Sequence, residues 1–328
     1  MPMRTRHLGA LPVPAIGYGA MVLSPGMYGE VDPEIAETAL LGALEVGCSF
    51  IDTSDGYDAG ENETLIGSFA SGRRDQLTIA TKFGFLIPPG EPVHHFKVNY
   101  SFGQLGVNCD PALVPGYCEA SLRRLGTDHV DLYYPHFPDP EVPFADTIGA
   151  VADLVAEGKV SHIGVSNVTA AQLREAAAVH PIAAVQTQWS LWTPIDRELL
   201  AAATDLGVGV VAWGPLGTGM LAGPVADVGD SDFRRFLPRF SGEALQQNRD
   251  RFAPLRDLAL DLGITASQLA LAALLHENPH VVPIPGSRTP AHIRENAAAA
   301  EIELSASDLD RIHTILRDNA PVGEGALR

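Results

Sequence analysis

The sequence predicts an α/β protein folded as a single (β/α)8 TIM barrel, with an N-terminal hairpin cap and an extra C-terminal helix. Three observations carry the prediction. A short apolar strand followed by an amphipathic helix recurs eight times over about 300 residues. The strands are apolar on both faces, as strands of a covered parallel sheet are. Polar residues able to move protons sit where those strands end, which is where a barrel gathers its chemistry. The alternative, a doubly wound open sheet, lacks its Gly-x-Gly-x-x-Gly turn between the first strand and helix. No linker or low-complexity stretch divides residues 1–328, so one domain is expected.

In chain order, residues 4 to 16 alternate weakly and carry Gly9, Pro12 and Pro14, a hairpin or extended cap. The first strand, Ile16 to Met21, contains glycines that permit close approach to its backbone. Asp32-Pro33-Glu34 supplies a cap, an N1 proline and a first-turn acid for a helix that runs to Val46 and stops at Gly47. Strand Ser49 to Asp52 precedes helix Glu63 to Phe69, and strand Leu77 to Lys82 precedes a long irregular segment and helix Asp110 to Leu125. Pro115 should bend or delay that helix. Strand Val130 to His136 precedes helix Phe144 to Glu157, and strand Lys159 to Val165 precedes helix Thr169 to Ala178. Strand Ala184 to Gln188 precedes helix Asp196 to Leu206. Strand Gly209 to Trp213 leads through a long loop to helices over Glu243 to Leu262 and Thr265 to Glu277. Strand Val281 to Ile284 precedes helix Pro290 to Ala300, and Ser305 to Leu316 is the extra helix.

Composition bounds the function. Hydrophobic residues make up 46% of the chain and charged ones 19%, as in an ordinary globular protein. The net charge of −18 opposes nucleic acid and anionic membranes as partners. No apolar run approaches the roughly 20 residues of a membrane span, and the first residues lack a signal-peptide core. A cytoplasmic location is expected. Three scattered cysteines, Cys48, Cys109 and Cys118, suit neither a disulfide framework nor a zinc site, and His94-His95 has no evident third ligand. No metal is expected, and nothing in the sequence marks an oligomer interface.

The stretch Phe50 to Tyr57 places an acid, Asp52, at a strand end and a phenol, Tyr57, on the following loop. Lys82 and His136 end two further strands. Reducing a carbonyl by hydride transfer puts negative charge on its oxygen, which a nearby acid must neutralise. A free tyrosine, with a pKa near ~10, is a weak acid for that task. A lysine ammonium favours the phenolate and lowers that pKa, an aspartate holds the lysine, and a histidine orients the oxygen. Ile284-Pro285-Gly286-Ser287-Arg288 joins a hydroxyl, a guanidinium and a helix N-terminus into an anion site. The glycine-rich run Gly214 to Gly219 suits phosphate contact through backbone N–H groups.

These residues together resemble the aldo-keto reductase family. Phe50-Ile51-Asp52-Thr53-Ser54-Asp55-Gly56-Tyr57 is similar to its Asp-Thr-Ala-x-x-Tyr motif, Thr81-Lys82-Phe83-Gly84 to its lysine motif and Asp131 to His136 to its histidine motif. The resemblance covers Arg4 to Arg317 and is nearest the bacterial branch that also resembles potassium-channel β-subunits, pyridoxal reductases and sugar ketoreductases. It implies Tyr57 as general acid tuned by Lys82 and Asp52, with His136 orienting the carbonyl. It implies NADPH across the barrel mouth, with Ser166, Asn167 and Gln188 on the carboxamide and Trp213 stacked on the nicotinamide. Gly214, Pro215, Leu216, Gly217 and Gly219 would fold over the pyrophosphate, and Gly19 and Met21 would border the cofactor. Ser287 and Arg288 would bind the 2′-phosphate, and His292, Glu295 and Asn296 the adenine end. The family's usual serine is Gly214 here, and its frequent arginine after the histidine is Phe137.

The aromatic-rich segment from Gly84 to Asp110 follows the third strand and should form one wall of the substrate pocket, with Phe96 and Tyr100 contributing. Met27, Tyr28 and Trp192 are further candidates for the pocket lining, while Arg234, Arg235 and Arg239 read as a solvated charged face. The expected activity is NADPH-dependent reduction of a small aldehyde or ketone. A slow cofactor-binding sensor and a sugar or alcohol dehydrogenase are the alternatives.

Overall fold

The computed structural model describes residues 3–96, 104–223, 225 and 228–323. The chain opens with an antiparallel hairpin, β1 (Thr5–Leu8) and β2 (Leu11–Pro14). Then follow β3 (Tyr18–Gly19), α1 (Pro33–Glu45), β4 (Phe50–Asp52), α2 (Glu61–Ala70) and β5 (Thr78–Phe83). A second hairpin comes next, β6 (His94–Phe96) with β7 (Leu105–Val107). After it come α3 (Val114–Leu125), β8 (Val130–Pro135), α4 (Phe144–Ala156), β9 (Val160–Ser166) and α5 (Ala170–Val179). The barrel continues through β10 (Ile182–Gln188), α6 (Arg197–Leu206) and β11 (Gly209–Trp213). The last elements are α7 (Gly242–Arg251), α8 (Ala253–Asp261), α9 (Ala266–Glu277), β12 (Val281–Pro283), α10 (Pro290–Ala298) and α11 (Ala306–Asp318).

Eight strands form one parallel sheet in the order β12-β11-β10-β9-β8-β5-β4-β3. The Gly17 N–H donates to the Pro283 carbonyl at 3.0 Å and ties the two ends of that sheet together. The fold is a (β/α)8 barrel. Its seam tolerates only glycine: a Cβ on Gly19 would lie 2.7 Å from the Ile284 carbonyl oxygen, and one on Gly286 2.5 Å from that of Gly19.

Period-two alternation sorts every strand. Phe50, Ala80, Leu132, Ala184, Val211 and Val282 point inward and pack with Leu8, Leu11 and Val13 of the first hairpin, which plugs the N-terminal end. Arg6 fixes the plug by donating to the carbonyls of Leu275, Asn278 and Val281. Ile51, Ile79, Tyr133, Ile163, Val185 and Val210 point outward under the helices. A second core lies under α7, α8, α9 and α11. The next inward position along each central strand, toward its C-terminal end, holds Asp52, Lys82, Tyr134 and Gln186.

Helix starts follow the local chemistry. Asp32 accepts from Glu34 N, Asp196 accepts from Glu198 N and Leu199 N, and Thr169, Thr265 and Ser305 head capping boxes.

Four expectations need correction. The first strand is only Tyr18–Gly19. The backbone then turns into a short 3-10 helix, Ala20–Leu23, whose Ala20 carbonyl accepts from Asn62. Helix α3 starts at Val114, because Pro115 is tolerated only in a first turn and Asp110 instead caps a turn through Ala112 N. The single helix expected over Glu243 to Leu262 is two, broken at Phe252 ahead of Pro254. The segment expected to be irregular carries the β6–β7 hairpin.

Candidate active site

Strand β4 ends at Asp52 and β5 carries Lys82 beside it, both fully buried on the barrel's inner face. The turn after β4, closed by Tyr57 N to Ser54 O at 3.2 Å, brings the phenol back over them. Asp58 and Ala59, just beyond, both adopt φ +51°, a left-handed backbone that costs non-glycine residues about 1–2 kcal/mol each. Lys82 Nζ donates to Asp52 Oδ1 at 2.6 Å, to the Thr53 carbonyl at 2.9 Å and to the Tyr57 hydroxyl at 3.2 Å. Its three N–H groups are thus all engaged. Asp52 Oδ2 accepts from Gln186 Nε2 at 2.7 Å.

Both carboxylate oxygens of Asp52 therefore face donors, and a proton on either would meet an N–H. That arrangement holds Asp52 as a carboxylate and Lys82 as an ammonium. Burial raises the Asp52 pKa, and Lys82 and Gln186 recover only part of that rise. Burial draws the Lys82 ammonium down, but Asp52 and Tyr57 together carry it above its ordinary value. Burial pushes the Tyr57 hydroxyl up, and Lys82 recovers only part of that shift. The expected net lowering of the phenol by Lys82 is thus reversed. The phenol stays protonated, and the ammonium is placed to stabilise the phenolate once a proton has left.

His136 follows β8, with its N–H donating to Phe83 O. Its ring lies 5.9 Å from that of Tyr57 in an edge-on contact and 4.4 Å from that of Phe85. Nδ1 faces the Ser54 hydroxyl at 3.0 Å. Burial, then the Lys82 charge, hold its pKa well below the ordinary imidazole value, so the ring is neutral.

The remaining candidates divide. Ser166 is buried, and Asn167, at φ +56°, donates to the carbonyl of His136 and to Ser166 Oγ while accepting from Trp213 Nε1. Gln188 pairs in register with Trp213, and its Oε1 is buried with no partner among the described residues. That acceptor suits a ligand amide. A side chain on Gly214 (φ +61°) would meet nothing within 4 Å, so open space lies above that turn. Pro215 and Leu216 continue the turn, but the N–H groups of Gly217 and Gly219 donate back to Gly214 and Leu216. Met21 is half-buried, two residues beyond Gly19 of the seam.

Ser287 Oγ accepts from Thr289 N. Arg288 donates to the carbonyls of Val22, Tyr28, Gly29 and Glu30, so in this conformation it pins the loop after β3. His292 is exposed and Asn296 buried, whereas Glu295 Oε1 accepts from Thr265 at the start of α9. Tyr28 packs against Phe233 and beneath Arg234.

Trp192 is not on the pocket wall. It is 3% exposed and stacked on Phe240 and Phe252 in the second core, because its loop turns inward under α7. Arg239 is likewise buried rather than solvated, donating to Thr193 and Gly323. Of Phe96 only the backbone is described, and Tyr100 lies outside the described residues. His94 is paired with Asp139 at 2.8 Å and anchors the β6–β7 hairpin.

Two contributors were missed in the sequence. Gln186 sits two residues before Gln188, so strand alternation alone puts it on the same inner face. Ser54 lay inside the motif that supplied Asp52 and Tyr57, but its bond to His136 spans 82 residues.

Comparisons with known proteins find the same fold. The glycerol dehydrogenase AKR11B4 from Gluconobacter oxydans superposes with a TM-score of 0.84 at 23% identity, covering 99% of this chain and 98% of that one. An aldo-keto reductase from Klebsiella pneumoniae in complex with NADPH superposes with a TM-score of 0.72 at 26% identity, covering 100% and 99%. A thermostable aldo-keto reductase in complex with the inhibitor epalrestat gives 0.72 at 28% identity, covering 95% and 100%. The model of the aldo/keto reductase family matches residues 15–317, and the chain belongs to that family.

Proposed function

We propose that the chain is an NADP(H)-dependent oxidoreductase that reduces an aldehyde or ketone to an alcohol, with Tyr57 as the general acid. The observation that carries the reading is Lys82, which bridges the Asp52 carboxylate and the Tyr57 hydroxyl inside the barrel mouth. A dihydronicotinamide bound there supplies the hydride. Everything else falls to the chain. The Tyr57 O–H gives its proton to the carbonyl oxygen as charge develops on it. The resulting phenolate lies 3.2 Å from the Lys82 ammonium, which stabilises it. Asp52, itself held by Gln186, keeps Lys82 charged and aimed. Neutral His136 completes the oxygen's hydrogen-bonding environment.

The orphaned Gln188 Oε1, with Ser166, Asn167 and Trp213, supports a carboxamide-bearing ring at the strand ends. Ser287, Arg288 and the N-terminus of α10 support a phosphate at the far end of the cofactor, and hence NADPH over NADH. The NADPH complex of the Klebsiella relative is consistent with this preference.

The test is NADPH consumption with an aromatic aldehyde by wild type and Tyr57→Phe. The variant should lose about 100-fold or more in kcat while binding NADPH as before. Wild-type activity in the variant would remove Tyr57 from its role. Tight NADPH binding without turnover of any carbonyl by the wild type would favour a sensor.

A further inference from the structure

Ser54 replaces the alanine of the family motif and lies between two buried titratable groups. Its Oγ is 3.0 Å from His136 Nδ1 and 3.2 Å from Asp55 Oδ1, and it accepts from Gly56 N at 3.1 Å. A hydroxyl has one proton and two lone pairs. With one lone pair taken by Gly56, Ser54 has one proton to give and one lone pair left. It therefore donates to one of Asp55 and His136 and accepts from the other.

An ionised Asp55 can only accept. Ser54 then donates to it, and His136 must donate Nδ1–H to Ser54, leaving Nε2 bare. A protonated Asp55 donates to Ser54, which donates to Nδ1, so the ring proton resides on Nε2. We propose that Asp55, Ser54 and His136 form a proton relay in which the protonation of Asp55 selects the His136 tautomer, and so whether Nε2 offers a donor or an acceptor at the barrel mouth.

The relay balances. When the Nε2 proton leaves to bulk water, the Ser54 proton moves to Nδ1 and the Asp55 proton moves to Ser54. The negative charge ends on Asp55, and the ring is never left charged. That suits a ring whose cationic form is suppressed by burial and by Lys82.

Asp55 is built to hold either state. It is 1% exposed, and its Oδ2 accepts from Gly84 N and Leu86 N, both at 3.1 Å. Burial pushes its pKa up to about 6. Glu63 on α2 adds to that rise, and the Leu86 N–H, Ser54 and Arg124 on α3 oppose it. Lys82 on β5 and Tyr57 on the loop after β4 are titratable groups that face His136 among the described residues. Cys109 and Tyr117, near Asp55, are pushed up by burial first and are neutral at working pH.

The consequence for turnover rests on the carbonyl-reductase reading; the tautomer does not. Reduction needs a donor toward a carbonyl oxygen, and oxidation needs an acceptor for an alcohol proton. Reduction should therefore be favoured with Asp55 protonated and oxidation with it ionised.

The direct test is ¹⁵N NMR of histidine-labelled protein, with the His136 signals assigned by their loss in His136→Gln. In wild type, Nε2 should carry the proton near about pH 5 and Nδ1 near about pH 8. Asp55→Asn provides the lock. The two backbone N–H groups keep its amide oxygen in the Oδ2 position, so its NH2 donates to Ser54 and Nε2–H should persist at both pH values. In Ser54→Ala the tautomer should not follow pH. One unchanging tautomer in wild type, or a switch that survives in Ser54→Ala, overturns the relay. In kinetics, wild-type reduction should fall about tenfold more than that of Asp55→Asn between those pH values. An NMR switch in a protein that turns over no carbonyl would keep the relay and discard the reductase reading.

Discussion

Gln186 is the side chain on which the buried Asp52–Lys82 ion pair leans. It supplies a 2.7 Å hydrogen bond to a carboxylate oxygen of a fully buried aspartate. Replacing it by leucine leaves that oxygen desolvated with no donor, a loss of about 1–3 kcal/mol. We expect Gln186→Leu to lose that much stability in urea unfolding, as a lower midpoint with an unchanged slope, and an unshifted midpoint would show that Asp52 finds another donor. Single-residue chemistry was legible where strand alternation governed it. Asp52 follows Phe50 by two, Lys82 follows Ala80 by two, and His136 follows Tyr134 by two, so each inherits the inward direction of a core residue. It was illegible where partners come from distant sequence. The phosphate role of Arg288 is read from type and position, but the bonds it makes in this conformation, to carbonyls 258 to 266 residues away, had no local signal. Trp192 has the composition of a pocket residue and the environment of a core one, and only the path of its loop distinguishes them.

Helix placement depends on where helices touch. A Cβ on Gly67 of α2 would lie 2.5 Å from the Arg124 carbonyl oxygen and 2.6 Å from the Leu125 carbonyl carbon, both backbone atoms of α3. Gly149, midway along α4, has nothing within 4 Å of the same position. Gly67→Ala should therefore cost about 1–3 kcal/mol through overpacking. Gly149→Ala should stabilise by about 0.5–1 kcal/mol through helix propensity. Thermal melts of the two variants should move in opposite directions, and a shared direction would contradict the packing assigned to α2 and α3. The caps of α1, α5, α6, α9 and α11 were readable because a cap is a contact over two or three residues. The delayed start of α3 was announced by Pro115, whereas the shortness of β3 was not readable, because a tertiary bond from Asn62 decided it.

At the scale of the molecule, the barrel was legible from repetition alone, since eight strand–helix units leave few ways to cover both sheet faces. The charge has a kinetic corollary. With a net charge of −18, a polyanionic dinucleotide approaches against the protein's field. The association rate of NADPH should rise as salt increases from about 0.01 to 0.15 M, because screening weakens that repulsion. Stopped-flow quenching of protein fluorescence reads it, and a falling rate would mean that the cationic end of the site governs approach. The plugged floor of the barrel bears on biosynthesis. Arg6 leaves a ribosome well before the carbonyls it grips, which are 269 to 275 residues behind it. The strand that closes the barrel belongs to the same late stretch. Until that stretch has emerged, the nascent protein carries an unsealed sheet edge and an untethered stopper, so its dependence on chaperones should last until β12 is out.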